Sequence, residues 1–179
     1  IPIIVAVLIA FYGVGVYNKL VRKRTMVEEG WSGIDVQLKK RRDIIPNLLE
    51  TVKGYAKHEQ DTLQQVIAAR NAAQDASGPK ASKKAEAQLG TAMANVFALA
   101  EAYPDLKANT NFVNLQNQLT KIEEDIEKAR RYYNATVRES NIMVESFPSN
   151  LIAGMGDFEI SEYFELEDEG DRALPEVKF

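Results

Sequence analysis

The sequence predicts an all-α protein: a single N-terminal transmembrane helix running into an elongated antiparallel helical bundle of long coiled-coil-like helices, followed by an acidic C-terminal extension. Three observations predict it. The chain opens on an uncharged apolar run, IPIIVAVLIAFYGVGVY, residues 1–17. Apolar residues then recur every seven positions over two long stretches, the spacing of a helical seam. Proline and glycine are sparse, 6 and 10 among 179 residues, while good helix formers abound. A chain of this length suits one domain with a real core.

The apolar run predicts a membrane anchor over residues 1–17. With a few upstream residues it approaches the ~20 positions that cross a hydrocarbon layer as helix. Tyr12 and Tyr17 suit a headgroup level. Lys19, Arg22, Lys23 and Arg24 follow at once and form a membrane-surface cluster. No small-residue cleavage site follows the run, which argues against a removable signal peptide. Cations immediately after the span predict a cytoplasmic body and a short N-terminus outside, by the positive-inside rule.

Residues 18–148 are expected to form the bundle, with no linker after the anchor. Trp31, Leu38, Ile45 and Val52 fall at sevens, with Ile34, Leu48 and Tyr55 between them. With a small phase shift the stripe continues through Leu63, Val66, Ile67 and Arg70. SGPKAS, residues 77–82, is the first turn expected, with Gly78 ending one helix and Pro79 opening the next. The second helix runs to about Ala102 on a face of Ala85, Leu89, Ala92, Met93, Val96, Phe97 and Ala100. YPDLKANTN, residues 103–111, is the next turn, with Thr110 or Asn111 as cap. The last long helix carries Phe112, Leu119, Ile126 and Tyr133 at sevens, with Leu115, Ile122, Ala129 and Thr136 beside them. Val137, Met143, Val144 and Phe147 extend its apolar face. Pro148 stops it, because its ring disfavours helical geometry at Phe147.

Residues 149–179 carry nine acids and two cations, so the rest of the chain is net positive against an overall charge of -4. Phe158, Ile160, Tyr163, Phe164, Leu166, Val177 and Phe179 are too many apolar residues for a purely solvated tail. The tail is expected to pack on the bundle or on a neighbouring subunit, acids toward the basic body, with PEVKF extended.

Catalytic apparatus is missing from the pattern. There is no cysteine, hence no thiol chemistry and no disulfide. His58 is the single histidine, expected on a helix surface. His58-Glu59 lacks the second histidine that a zinc-protease helix needs, and the Glu-x-x-His pairs of di-iron bundles are absent. No nucleophile elbow or phosphate-cradling glycine loop occurs. The sequence therefore predicts no enzyme, no cofactor and no metal. Lys39-Lys40-Arg41-Arg42 has no interleaved aromatics in an acidic chain, so no nucleic-acid partner is expected.

The richest stretch is KKRRDIIPNLLETVKGYAKHE, residues 39–59. Pro46 lacks the N–H that would bond the Arg42 carbonyl. Either a new helix starts at Asp43 as cap, or one helix runs through with a kink. The unbroken seven-residue phase through Ile45 favours the second. Arg41 falls where the stripe expects an apolar residue, so it needs a carbonyl or an acid on a facing helix. Trp31, Arg41, Arg42, Asp43, Pro46, Asn47, Tyr55, His58, Glu59 and Arg70 are the candidate interaction or structural residues.

The order of YNKLVRKRTMVEEGWSGIDVQLKKRRDIIPNLLETVKGYAKHE, the VIAAR after it, FPSNLIAGMG, EYFELE and the VKF ending resembles the LemA family of bacterial membrane proteins. The resemblance covers nearly the whole chain. It implies an N-terminal membrane helix carrying a helical bundle, with no enzymatic activity established for the family. Family members often neighbour membrane metalloproteases of the heat-stress type or TPM-domain proteins, and one in magnetosome-forming bacteria is linked to building that membrane. The expectation is a non-enzymatic membrane-anchored scaffold that self-associates as a homo-oligomer. The alternative is an accessory partner of a membrane-bound metalloprotease or other envelope-stress protein.

Overall fold

The computed structural model describes residues 2–165. These are all-α, with no strand among them: α1 Pro2–Tyr55, α2 Gln60–Asp75, α3 Gly78–Ala100, α4 Pro104–Lys107, α5 Thr110–Glu145 and α6 Ser149–Met155. The extended ending expected at PEVKF lies outside the described residues. Two compact units divide the chain. One comprises Ile1–Ile44 and Leu115–Tyr163, the other Ile45–Asn114 and the described residues from Phe164.

α1 is one uninterrupted helix of 54 residues with Pro46 inside it. Among the described residues it is the one helix long and apolar enough to cross a membrane. Most of its first 15 residues are exposed, as lipid-facing residues of a span are. The stripe then behaves as the heptads predict. Ile34, Leu38, Ile45, Leu48 and Val52 are buried, while Tyr55 is exposed. Pro46 is also exposed, so its ring stands off the seam.

In the first unit α1 packs beside α5. The Gly30 position makes this contact close, because a Cβ there would stand 3.2 Å from Tyr133 Cα. Trp31 meets the Tyr133 ring edge to face at 5.9 Å. On α5, Phe112, Leu119, Ile126 and Tyr133 are all buried, as are Ile122, Thr136 and Val137. Phe147 departs from expectation. The helix ends at Glu145, so Phe147 leaves the helical phase and stands 80% exposed.

Beyond Pro148 the chain forms α6, a helix too short for the apolar spacing to have announced it. Ala153 and Phe158 join Val16 and Leu20 in one buried cluster, flanked by Val21, Met143, Val144 and Ile152. The returning segment of chain is then tied down by α5. Asn141 Nδ2 donates to the Ser161 carbonyl at 2.9 Å, and the Ser161 amide donates to Asn141 Oδ1 at 2.8 Å. Tyr133 Oη donates to the Glu162 carbonyl at 2.9 Å.

In the second unit the first turn comes earlier than SGPKAS. α1 stops at Tyr55, and residues 56–59 break the helix before α2. The shift in apolar phase after Val52 was this break, not a gentle drift of one helix. SGPKAS does form the α2–α3 turn, where Gly78 takes φ +79°, a conformation only glycine adopts freely. On α3, Ala85, Leu89, Ala92, Met93, Val96 and Ala100 are buried, along with Ser82 and Glu86. Phe97 meets Phe112 edge to face at 6.2 Å. The cap of α5 is Asn109 rather than Thr110 or Asn111: its Oδ1 accepts the Phe112 N–H at 3.1 Å. A side-chain acceptor three residues ahead of an otherwise orphaned amide is what an N-cap supplies.

Candidate interaction surfaces

The stretch 39–59 resolves into three separate arrangements. Arg41 is 3% exposed. Its guanidinium donates through Nη1 to Glu123 Oε1 of α5 at 2.6 Å. The partner is thus the acid on a facing helix, which the heptad anomaly anticipated. Arg42 points elsewhere and lies 3.8 Å from Asp35 on its own helix. Asp43 and Asn47 are exposed, and the Asn47 carbonyl accepts from Thr51 Oγ1 at 2.9 Å.

The residues after Val52 form a braced turn. The Ala56 amide closes onto the Val52 carbonyl, and the Glu59 amide onto Ala56. His58 sits in this turn and is exposed, a correction to its expected place on a helix. Glu59 Oε1 accepts from Tyr103 Oη at 3.2 Å. Tyr55 Oη accepts from Asn109 Nδ2 at 2.9 Å. The KGYAKHE turn is therefore cross-linked to the segment that joins α3 to α5. Partial burial, and then the Glu59 carboxylate it bonds, push the Tyr103 phenol above its ordinary range.

The third arrangement is a groove of about 710 Å³ between the end of α1 and α2. Pro46, Leu49, Leu63 and Ile67 give it apolar walls. Glu50, Lys53, Lys57 and Arg70 supply charge at its edges, three cations against one acid. The spacing explains it. Pro46, Leu49, Glu50 and Lys53 share one face of α1, and Gln60, Leu63, Gln64, Ile67 and Arg70 share one face of α2. Ile67 is substantially exposed there. No nucleophile with an adjacent base lines the groove. Among the described residues, no group of three or more His, Cys, Asp or Glu is placed to hold a metal ion.

At the other end of α1, Lys19, Arg22 and Arg24 are exposed. Lys23 forms an ion pair with Glu139 of α5, which holds that carboxyl below its ordinary range. The Arg24 guanidinium lies over the Phe158 ring, 5.1 Å from its centroid. Glu123, Asn141, Tyr133 and Asn109 carry these arrangements, and sequence reasoning did not single them out as sites. Each looks in sequence like an ordinary helix-surface or turn residue; only Tyr133 carried a signal, as a phenol at a core position.

The LemA family profile matches residues 30–179. The chain belongs to the LemA family. Among this LemA chain's relatives, Protein LemA of Metamycoplasma hominis is 25% identical over 144 residues, covering 80% of this chain and 66% of its own. Magnetosome protein MamQ 2 of Paramagnetospirillum magneticum is 29% identical over 100 residues, 56% of this chain and 37% of its own. MamQ of Magnetospirillum gryphiswaldense is 25% identical over the same length and the same shares. This LemA chain thus spans about two thirds of the first relative and little over a third of the magnetosome proteins. It is a membrane-associated helical protein, and none of these relatives bears the name of an enzyme.

Proposed function

We propose that this LemA protein is a non-enzymatic, membrane-anchored scaffold that self-associates and organises the membrane or a complex within it. The observation that carries the reading is the Pro46–Arg70 groove. It is open, with apolar walls, and no nucleophile with an adjacent base lines it. Helix-in-groove recognition uses such a surface, reading apolar anchors at i, i+3, i+4 and i+7. The anchor restricts copies to one plane, which raises their effective concentration. Relatives named as magnetosome proteins fit a role in a membrane-bounded assembly. The span sits in the bacterial inner membrane with the body cytoplasmic, as Lys19, Arg22, Lys23 and Arg24 direct.

The test is crosslinking of the full-length protein in its own membrane, followed by mild extraction and mass determination. Wild type is expected to yield homo-oligomers, and Ile67→Glu, an exposed substitution in the groove wall, to lose them. A monomer with no crosslinked species overturns the proposal. Crosslinks made solely to another membrane protein, lost in Ile67→Glu, transfer the groove to the accessory reading, in which its Lys53 and Lys57 favour an acidic partner segment such as one from a membrane protease.

A further inference from the structure

Ser146–Gly156, SFPSNLIAGMG, holds no charged residue and lies between Glu145 and Asp157. It contains α6, which buries one side and exposes large apolar residues on the other, with Asn150 the polar residue beside them. The inward face meets α1: Ile152 packs where a Gly13 Cβ would stand 3.7 Å from its Cδ1. Ala153 is buried with Val16 and Leu20. The outward face is Leu151 and Met155, four residues apart, 59% and 85% exposed, with Phe147 at 80% beside them. A helix with large apolar residues on both sides belongs in a core or in lipid. Here a core lies on one side, and the described residues leave Leu151 and Met155 open on the other.

Its position names the missing neighbour. α6 lies along Gly13, Val14 and Tyr17, with which Ile152, Met155 and Gly156 line a shallow cleft. These α1 residues form the last turns of the apolar run, where Phe11, Tyr12, Val14 and Tyr17 are exposed. The exposed face of α6 is thus continuous with the lipid-facing surface of the span. Below it the chain becomes charged again, with Lys19, Arg22 and Arg24 on α1 and Asp157 and Glu159 after α6. Tyr17 packs edge to face on Phe158 at 5.5 Å, at this apolar-to-charged border. Tyrosine at such a border suits the headgroup level.

We infer that Phe147–Met155 is a second membrane-contacting element, an interfacial wedge seated in the leaflet beside the span. Its occupant surface is the lipid acyl-chain boundary. Leu151, Met155 and Phe147 enter it, while Glu145 and Asp157 stay in water. The wedge clamps the exit of α1: the span cannot slide toward the body without dragging an uncharged helix into water, nor outward without burying Asp157 and Lys19. This inference rests on α1 being a membrane span.

The chain has no cysteine, so an introduced one is unique. Full-length Phe11→Cys, Leu151→Cys, Met155→Cys and Asn95→Cys proteins, spin-labelled and reconstituted in phosphatidylethanolamine–phosphatidylglycerol vesicles, give depth from accessibility to oxygen and to a water-soluble nickel chelate. All four positions are exposed, so the fold is retained, as circular dichroism checks. The labels at 151 and 155 are expected to be oxygen-rich and chelate-poor, about 5–10 Å below the headgroup boundary. The label at 11 should lie deeper and that at 95 in water. Chelate-rich labels at 151 and 155 with a deep label at 11 overturn the wedge and leave the anchor standing. A chelate-rich label at 11 removes the anchor and the wedge together. Labels at 151 and 155 shielded from both reagents mean that protein covers α6, which also overturns the inference.

Discussion

Arg41 and Glu123 form a pair whose two halves differ in environment, and the difference predicts unequal costs. The Arg41 side chain is 4% exposed, that of Glu123 47%. Removing Glu123 leaves a buried guanidinium without that carboxylate. Breaking a buried pair in this way costs about 3–5 kcal/mol. Water already reaches Glu123, which weakens the pair, so about 2–3 kcal/mol is expected for Glu123→Ala. Removing Arg41 instead leaves a carboxylate that turns into solvent. Arg41→Met also places an unbranched apolar chain at the heptad position that asked for one. Its expected change is within about 1 kcal/mol of zero, of either sign. Thermal melts of the full-length protein in mild detergent, followed at 222 nm, separate the two. Glu123→Ala should fall by roughly 4–12 °C and Arg41→Met by far less. The double variant should resemble Arg41→Met, because the penalty vanishes with the charge. A larger loss for Arg41→Met than for Glu123→Ala, or additive losses in the double variant, would refute the reasoning.

Two further outcomes follow from the α1–α5 contact. Gly30→Ala should lower the melting temperature: its Cβ meets Tyr133 Cα at 3.2 Å, and overpacking of about 1–3 kcal/mol exceeds the ~1 kcal/mol gained in helix propensity. Gly33→Ala, with nothing within 4 Å, should raise it by the propensity gain alone; equal shifts of one sign would refute the close-approach argument. Tyr133 is held above its ordinary value, first by burial and then by Glu162. The folded state therefore keeps a proton that the unfolded state releases near pH 10, so stability should fall as pH rises above 10. Tyr133→Phe should flatten that slope and cost about 1 kcal/mol at neutral pH for the lost bond to the Glu162 carbonyl; an unchanged alkaline slope would discount it.

Periodicity made much of the architecture legible. Ile34, Leu38, Ile45 and Val52 are buried in the order their spacing dictates, and so are Leu119, Ile126 and Tyr133. Burial of one helical face is a repeating demand that leaves a repeating trace. Turns leave a weaker one. The break at 56–59 contains no proline and follows Gly54 only loosely. Its stability comes from Glu59–Tyr103 and Asn109–Tyr55, contacts across 44 and 54 positions. α6 was hidden for another reason: seven residues give too short a window for any period to register.

By itself the sequence determined the class of the protein: all-helical, with an uncharged opening run that suits a membrane and no chemistry-bearing constellation. Those follow from composition and local spacing, which each residue carries with it. It also determined that Arg41 needed a polar partner, because a charge on a seam cannot stay unsolvated and unpaired. Only the tertiary structure decided that the partner is Glu123, that the 39–59 stretch separates into a buried pair, a braced turn and a groove, and that an uncharged piece of an acidic tail lies along the end of the apolar run. Each of these depends on which distant residues meet. That is set by how helices pack, and no single segment encodes it.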